Sequence, residues 1–179
     1  MNDVALYAQR AVVPAVVTVI AIATYTDCRW RLIKNSVTLP AIVLGLLLNC
    51  LGHGWNGLLF GALGLAAGFA LIMIPYLLGQ MGGGDVKLMT ALGSLLGAYA
   101  ILNVFLYTTL AGGLLALVFA VYHRQGFETL RRTWHLAVGL FILRIGPSAP
   151  SEPGHAIAMP YGLAITVGTV TYLLAGKVV

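Results

Sequence analysis

Acidic residues are nearly absent from this sequence. Only Asp3, Asp27, Asp85, Glu128 and Glu152 occur in 179 residues, and charged residues of both signs make up 8%. A chain so poor in charge, 60% hydrophobic and with a mean hydropathy of +0.94, lies outside the range of water-soluble domains and reads as a polytopic membrane protein. Cysteine is scarce too. Cys28 and Cys50 alone offer neither a disulfide framework nor a zinc set. His53, His123, His135 and His155 have no metal-ligand spacing, so no metal or other cofactor is called for. Ser36, Ser94, Ser148 and Ser151 have no base nearby for nucleophilic catalysis. Basic and aromatic residues do not interleave, so the net charge of +5 points to anionic lipid heads and not to nucleic acid.

What the chain has in abundance is long apolar runs. Those near 20 residues mark six spans, at about 8–26, 36–53, 57–79, 86–99, 101–122 and 156–176. The expected fold class is all-α, a single integral-membrane domain over residues 1–179 with both termini on one side. With the N-terminus outside, eight basic residues (Arg29, Arg31, Lys34, Lys87, Arg124, Arg131, Arg132 and Arg144) fall in inside loops, against Arg10 and Lys177 outside. The positive-inside rule therefore selects N-out, C-out. Ala21-Ile22-Ala23 resembles a signal cleavage site, but the positive charges follow the apolar run, so the first span is expected to remain as an anchor.

Within this frame Asp27 to Lys34 reads as a short basic turn with Trp30 at the headgroup level. Asn49, His53, Trp55 and Asn56 read as the outer turn. Gly57, Gly61, Gly64 and Gly68 put small residues on one helix face for close contact, and Pro75 is expected to fray the third span. The 35 residues from Leu88 to Tyr122 are too many for one crossing and should break near Gly97 to Asn103, with a re-entrant fourth segment as the alternative. Phe127, Leu130, Trp134, Val138 and Phe141 recur at helical spacing, which predicts a cytoplasmic amphipathic segment at about 127–144.

Two of the five acids sit at the edges of apolar runs. Asp27 ends an outside-to-inside span and Asp85 begins an inside-to-outside one, so the topology brings them to one depth. A carboxylate against hydrocarbon costs roughly 2.5–3.5 kcal/mol at mid-helix on insertion scales, which makes such residues functional candidates. Two carboxylates sharing a site settle with one ionised and one protonated, the pair needed to activate a water and protonate a carbonyl. Asp85 follows Gly82-Gly83-Gly84. Glycines there would let a substrate backbone approach, and with positive φ would leave N–H groups free for it. Asp85 could equally be the N-cap of the fourth helix, and Asp27 an interface charge paired with Arg29 or Arg31.

Gly82-Gly83-Gly84-Asp85, with Asp27 followed by Ile33-Lys34-Asn35 and Pro160-Tyr161-Gly162 near the last span, resembles the GxGD membrane aspartic proteases and, within them, the type IV prepilin peptidases. Lys34 departs from that pattern, standing where proline is usual. The resemblance implies an aspartic endopeptidase that cleaves the basic leader from prepilin-like precursors at the cytoplasmic face. Asp27 and Asp85 would be the catalytic pair. Gly82, Gly83, Gly84, Lys87, Asn35, Pro160, Tyr161 and Gly162 would be substrate-binding or loop positions, the last three forming a facing wall. The expected setting is a bacterial inner membrane or archaeal cell membrane, with prepilin-like precursors, lipids and pilus assembly machinery as partners. The likeness is to short, peptidase-only members that serve tight-adherence pili. A proton-coupled transporter with the aspartates as relay groups, or a non-catalytic pilus or secretion scaffold, are the rival classes.

Overall fold

The computed structural model describes residues 3–77, 81–122 and 161–175. All described secondary structure is helical: α1 (Asp3–Trp30), α2 (Asn35–Leu77), α3 (Gly83–Leu96), α4 (Ala98–Tyr122) and α5 (Tyr161–Leu174). Among the described residues, three helical stretches, Leu6–Trp30, Asn35–Leu77 and Ala98–Leu115, are long and apolar enough to cross a membrane. The amphipathic segment expected at 127–144 and Pro160 lie outside the described residues. The chain divides into two units, Met1–Ala111 with Pro160–Val179, and Gly112–Met159. In the second, the described part is the C-terminal stretch of α4.

The first unit is built around α3. Its 14 residues rise about 21 Å, and from Asp85 to Leu96 every side chain except Lys87 is buried. Leu88, Met89, Leu92 and Leu95 form a core with Val16, Ile72, Ile101, Val104 and Ile165. The principal wall is α2, which folds back on itself. Gly54 adopts φ 59 and ψ −135, a conformation open to glycine at little cost. The two arms, 35–53 and 55–77, then lie side by side, since a Cβ built on Gly61 would come 3.2 Å from Leu46.

Against this hairpin α3 packs backbone to backbone. A Cβ on Gly64 would lie 2.1 Å from the Gly93 carbonyl oxygen, and one on Gly68 would lie 2.4 Å from that of Met89. The pairs 64 with 93 and 68 with 89 set an antiparallel register. Small residues permit the approach, and dispersion across the seam supplies the attraction that lipid-like surroundings deny to the hydrophobic effect. Gly57, Gly61, Gly64 and Gly68 are all buried; Gly45, Gly93 and Gly97 complete the seam from positions that no spacing had marked.

Several local expectations change. α1 does not stop before Asp27 but runs on to Trp30, and closes where Arg31 N–H donates to the Asp27 carbonyl (2.8 Å) with Arg31 at φ 50. Asp27 is thus a helical residue and not the start of a turn. Asn49 and His53 are also helical. Buried Asn49 donates from Nδ2 to the carbonyls of Gly45 (3.0 Å), Ser94 (3.0 Å) and Leu95 (3.3 Å), so it serves the carbonyls that the last turn of α3 leaves without helical partners. Pro75 stands in the last turn of its arm, which is helical as far as Leu77, ahead of the glycine loop. The long run after Leu88 breaks at Gly97, where φ is 83 and a Cβ would also enter the Phe60 ring.

Candidate active site

Asp27 and Asp85 come to the same end of the first unit from different helices. That end gathers the close of α1, the start of α3 and the start of α5. The opposite end holds the α2 reversal, the α3 terminus and a Gln9 to His53 hydrogen bond of 3.2 Å.

Asp27 lies one turn from the end of α1 and is buried. Its Oδ2 accepts the Gly162 N–H at 3.1 Å, in the first turn of α5. Helix N-termini carry unpaired N–H groups and a positive dipole end, so the first turn of α5 offers a carboxylate a ready donor. The α1–α5 seam is laced beside it by a hydroxyl bond between Thr24 and Thr166, and Thr166 also donates to the Gly162 carbonyl at 2.9 Å. Glycine is required at 162, because a Cβ would sit 2.5 Å from Asp27 Oδ2.

Asp85 is the third residue of α3, and the N-cap is Gly82. The Asp85 carboxylate reaches back to accept the Gly82 N–H (3.1 Å), while Asp85 N–H donates to the Gly82 carbonyl (3.1 Å). This is one half of a capping box, glycine having no side chain to return the other bond. Asp85 stands outside the three stretches long enough to cross a membrane. Burial pushes its carboxyl up to about 6 from an ordinary 3.8, the Gly82 hydrogen bond pulling down and the charge of Asp27 adding to the rise. The second oxygen of each aspartate has no hydrogen-bond partner among the described residues.

The glycines before Asp85 act differently from the expectation. Gly82 is extended at φ −80, Gly83 and Gly84 belong to the helix, and none of the three has positive φ. Their N–H groups are therefore not left free by an unusual backbone; that of Gly82 is taken by Asp85. What the sequence needs at 84 is space. A Cβ there would meet Cβ of buried Ile33 at 3.0 Å, and one on Gly83 would touch the Tyr76 ring at 3.7 Å. The 31–34 turn thus lies directly on the start of α3, and Lys87 Nζ donates to Asn35 Oδ1 at 2.8 Å across the same junction.

The structure therefore joins Asp27 to Gly162, Asp85 to Gly82, Gly84 to Ile33 and Lys87 to Asn35. Tyr161 is half-buried beside Gly162. Neither aspartate pairs with Arg29 or Arg31, the arrangement considered from sequence. Thr24, Thr166 and Tyr76 were not singled out from sequence, and nothing in the local pattern around them carries a signal. Among the described residues no group of three or more His, Cys, Asp or Glu is placed to hold a metal ion. The chemistry available is that of two buried carboxylates, each steadied through one oxygen by a backbone amide.

Fold and site together describe an all-helical, membrane-type protein with paired aspartates at one end of its helices. The model of the type IV leader peptidase family matches residues 15–117, which include both aspartates and more than half of the chain, and the chain belongs to that family. It is similar to a prepilin leader peptidase/N-methyltransferase of Neisseria gonorrhoeae, with 34% identity over 111 residues, 58% of this chain and 38% of the relative. A protein of the same description from Bacillus subtilis is 33% identical over 108 residues, covering 56% and 42%. One from Aeromonas hydrophila is 35% identical over 106 residues, covering 55% and 36%. The chain thus matches less than half the length of these curated relatives. No solved structure matches it.

Proposed function

We propose that this protein is an aspartic endopeptidase that cleaves the leader from type IV prepilin-like precursors. The observation that carries this reading is the convergence of Asp27 and Asp85, both buried and each fixed by a backbone N–H, in a chain of the type IV leader peptidase family. Asp27, held by the first turn of α5, takes a proton from the attacking water. Asp85, whose carboxyl is raised by burial, gives one to the scissile carbonyl oxygen.

The wider setting belongs to the same proposal. A single integral-membrane domain crosses six times, the two arms of α2 counting separately, with N-out, C-out orientation and the aspartates near the cytoplasmic face of a bacterial inner membrane or archaeal cell membrane. Gly82, Gly83 and Gly84 shape the wall beside Asp85. Lys87 and Asn35 hold that wall in place, Gly162 steadies Asp27, and Tyr161 stands beside it in the chain as a substrate-binding position.

Asp27→Asn and Asp85→Asn test the reading with purified protein and a panel of prepilin-like precursors. An amide keeps the size but cannot exchange the proton, so each variant should lose cleavage while keeping expression and membrane insertion. Substantial cleavage by either would remove that aspartate from the mechanism.

A further inference from the structure

Four of the five basic side chains among the described residues, Arg29, Arg31, Lys34 and Lys87, stand at the end that holds the two aspartates. Lys87 is engaged with Asn35. Arg29, Arg31 and Lys34 are exposed and form no ion pair among the described residues. Asp27 and Asp85 are buried, with backbone partners of their own. Two of the cations flank Trp30, half of whose surface is exposed: Lys34 Nζ lies 4.7 Å from its ring centroid and Arg29 Cζ 5.8 Å, while Tyr25 meets it edge-on at 5.8 Å. Leu32 is also exposed. The segment 29–34 joins the last residues of a helix long and apolar enough to cross a membrane to the turn that follows it.

We propose that the 29–34 segment, the end of α1 and the turn after it, binds the phosphate-bearing headgroup of an anionic phospholipid in the leaflet on the aspartate side. Charge complementarity commits the occupant, since two cations stack on Trp30, Arg31 follows it in sequence, and none of the three has an ion-pair partner among the described residues. The aromatic pair sets the depth, because Trp and Tyr favour the level where headgroup meets hydrocarbon. Stacking on Trp30 keeps Lys34 and Arg29 together instead of letting them disperse into water. The same turn lays Ile33 on Gly84, next to Asp85, so an occupied site stiffens one wall of the aspartate pair. Binding does not depend on the peptidase reading, whereas an effect on turnover does.

The test uses the full chain with Trp55→Phe and Trp134→Phe, reconstituted in nanodiscs of phosphatidylcholine with a minor fraction of phosphatidylglycerol. Either lipid is brominated in turn to quench Trp30 fluorescence. One cation near an anionic surface enriches that lipid about fivefold, so brominated phosphatidylglycerol should quench more per molecule than brominated phosphatidylcholine by at least about that factor. Lys34→Gln should reduce the preference, and adding Arg29→Gln and Arg31→Gln should abolish it. If the triple variant does not fold, Lys34→Gln alone decides, and an unchanged preference overturns the proposal. A chain with Trp55 as the sole tryptophan, at the opposite end, should show no such enrichment. Equal quenching by the two lipids would leave the charges as orientation signals only. Loss of the preference on adding inorganic phosphate, at matched ionic strength, would assign the site to a soluble phosphate compound and overturn the lipid assignment.

Discussion

Gly162→Ala asks whether α5 is packing or part of the active site. In an unobstructed helix alanine is favoured over glycine by about 1 kcal/mol, so the bare expectation is a gain in stability. Here the added Cβ would lie 2.5 Å from Asp27 Oδ2 and 3.1 Å from its Cγ. Carbon contacts settle near roughly 3.5 Å, so the carboxylate must retreat by about 1 Å. That movement breaks the 3.1 Å bond from Gly162 N–H. Hydrogen bonds to charged groups contribute about 1.5–3 kcal/mol, which outweighs the gain in propensity and leaves the variant about 0.5–2 kcal/mol less stable. The effect on turnover is larger, because a displacement of about 1 Å in a reacting group can cost about a hundredfold. Precursor cleavage at low temperature, with the unfolding temperature measured in the same detergent, separates the two. Gly168→Ala is the control. Its Cβ would strike Thr108 at 2.4–2.6 Å, but it lies about 9 Å further along α5, so stability should fall with much less loss of turnover per folded molecule. Gly162→Ala with undiminished turnover, or both variants losing turnover only in proportion to stability, would refute a role for α5 in placing Asp27.

Because folding raises the Asp85 carboxyl from 3.8 to about 6, the folded state binds more protons than the unfolded state between those values. Stability should fall as pH rises through that window and level off above it, by up to about 3 kcal/mol. Asp85→Asn should flatten the profile, and a wild-type curve that rises there would contradict the burial argument. Cleavage should decline with increasing pH above about 6 as the acid form is lost; a rate that climbs through neutrality would reverse the roles. Asn49→Ala strips donors from the Ser94 and Leu95 carbonyls at the end of α3. It should cost about 1–3 kcal/mol in thermal unfolding, whereas a loss under about 0.5 kcal/mol would mean that those carbonyls find other partners. For sidedness, Ser151→Cys in a background lacking Cys28 and Cys50 should resist an impermeant maleimide in intact cells, and Asn56→Cys should react. The opposite pattern would invert the proposed topology.

Much of this protein is legible without coordinates. Apolar runs with few charges leave the backbone no option but helix in a water-free setting. Carboxylates at the edges of such runs single out Asp27 and Asp85, because nothing in hydrocarbon compensates an idle charge. A 35-residue run must break, and Gly97 is where it does.

Other features rest on partners distant in sequence. In helices that are apolar on nearly every side, periodicity does not reveal which face is inward, so the roles of Gly45 and Gly93 emerge only when α2 folds back at Gly54 and meets α3. Asn49 looks like a turn residue until the carbonyls of Ser94 and Leu95 arrive beside it, 45 and 46 positions away. The glycines before Asp85 suggested unusual dihedrals, whereas at Gly84 the requirement is clearance for Ile33. Gly162 reaches Asp27 across 135 residues. An amide's bonding partner depends on which helix ends meet, and packing decides that meeting.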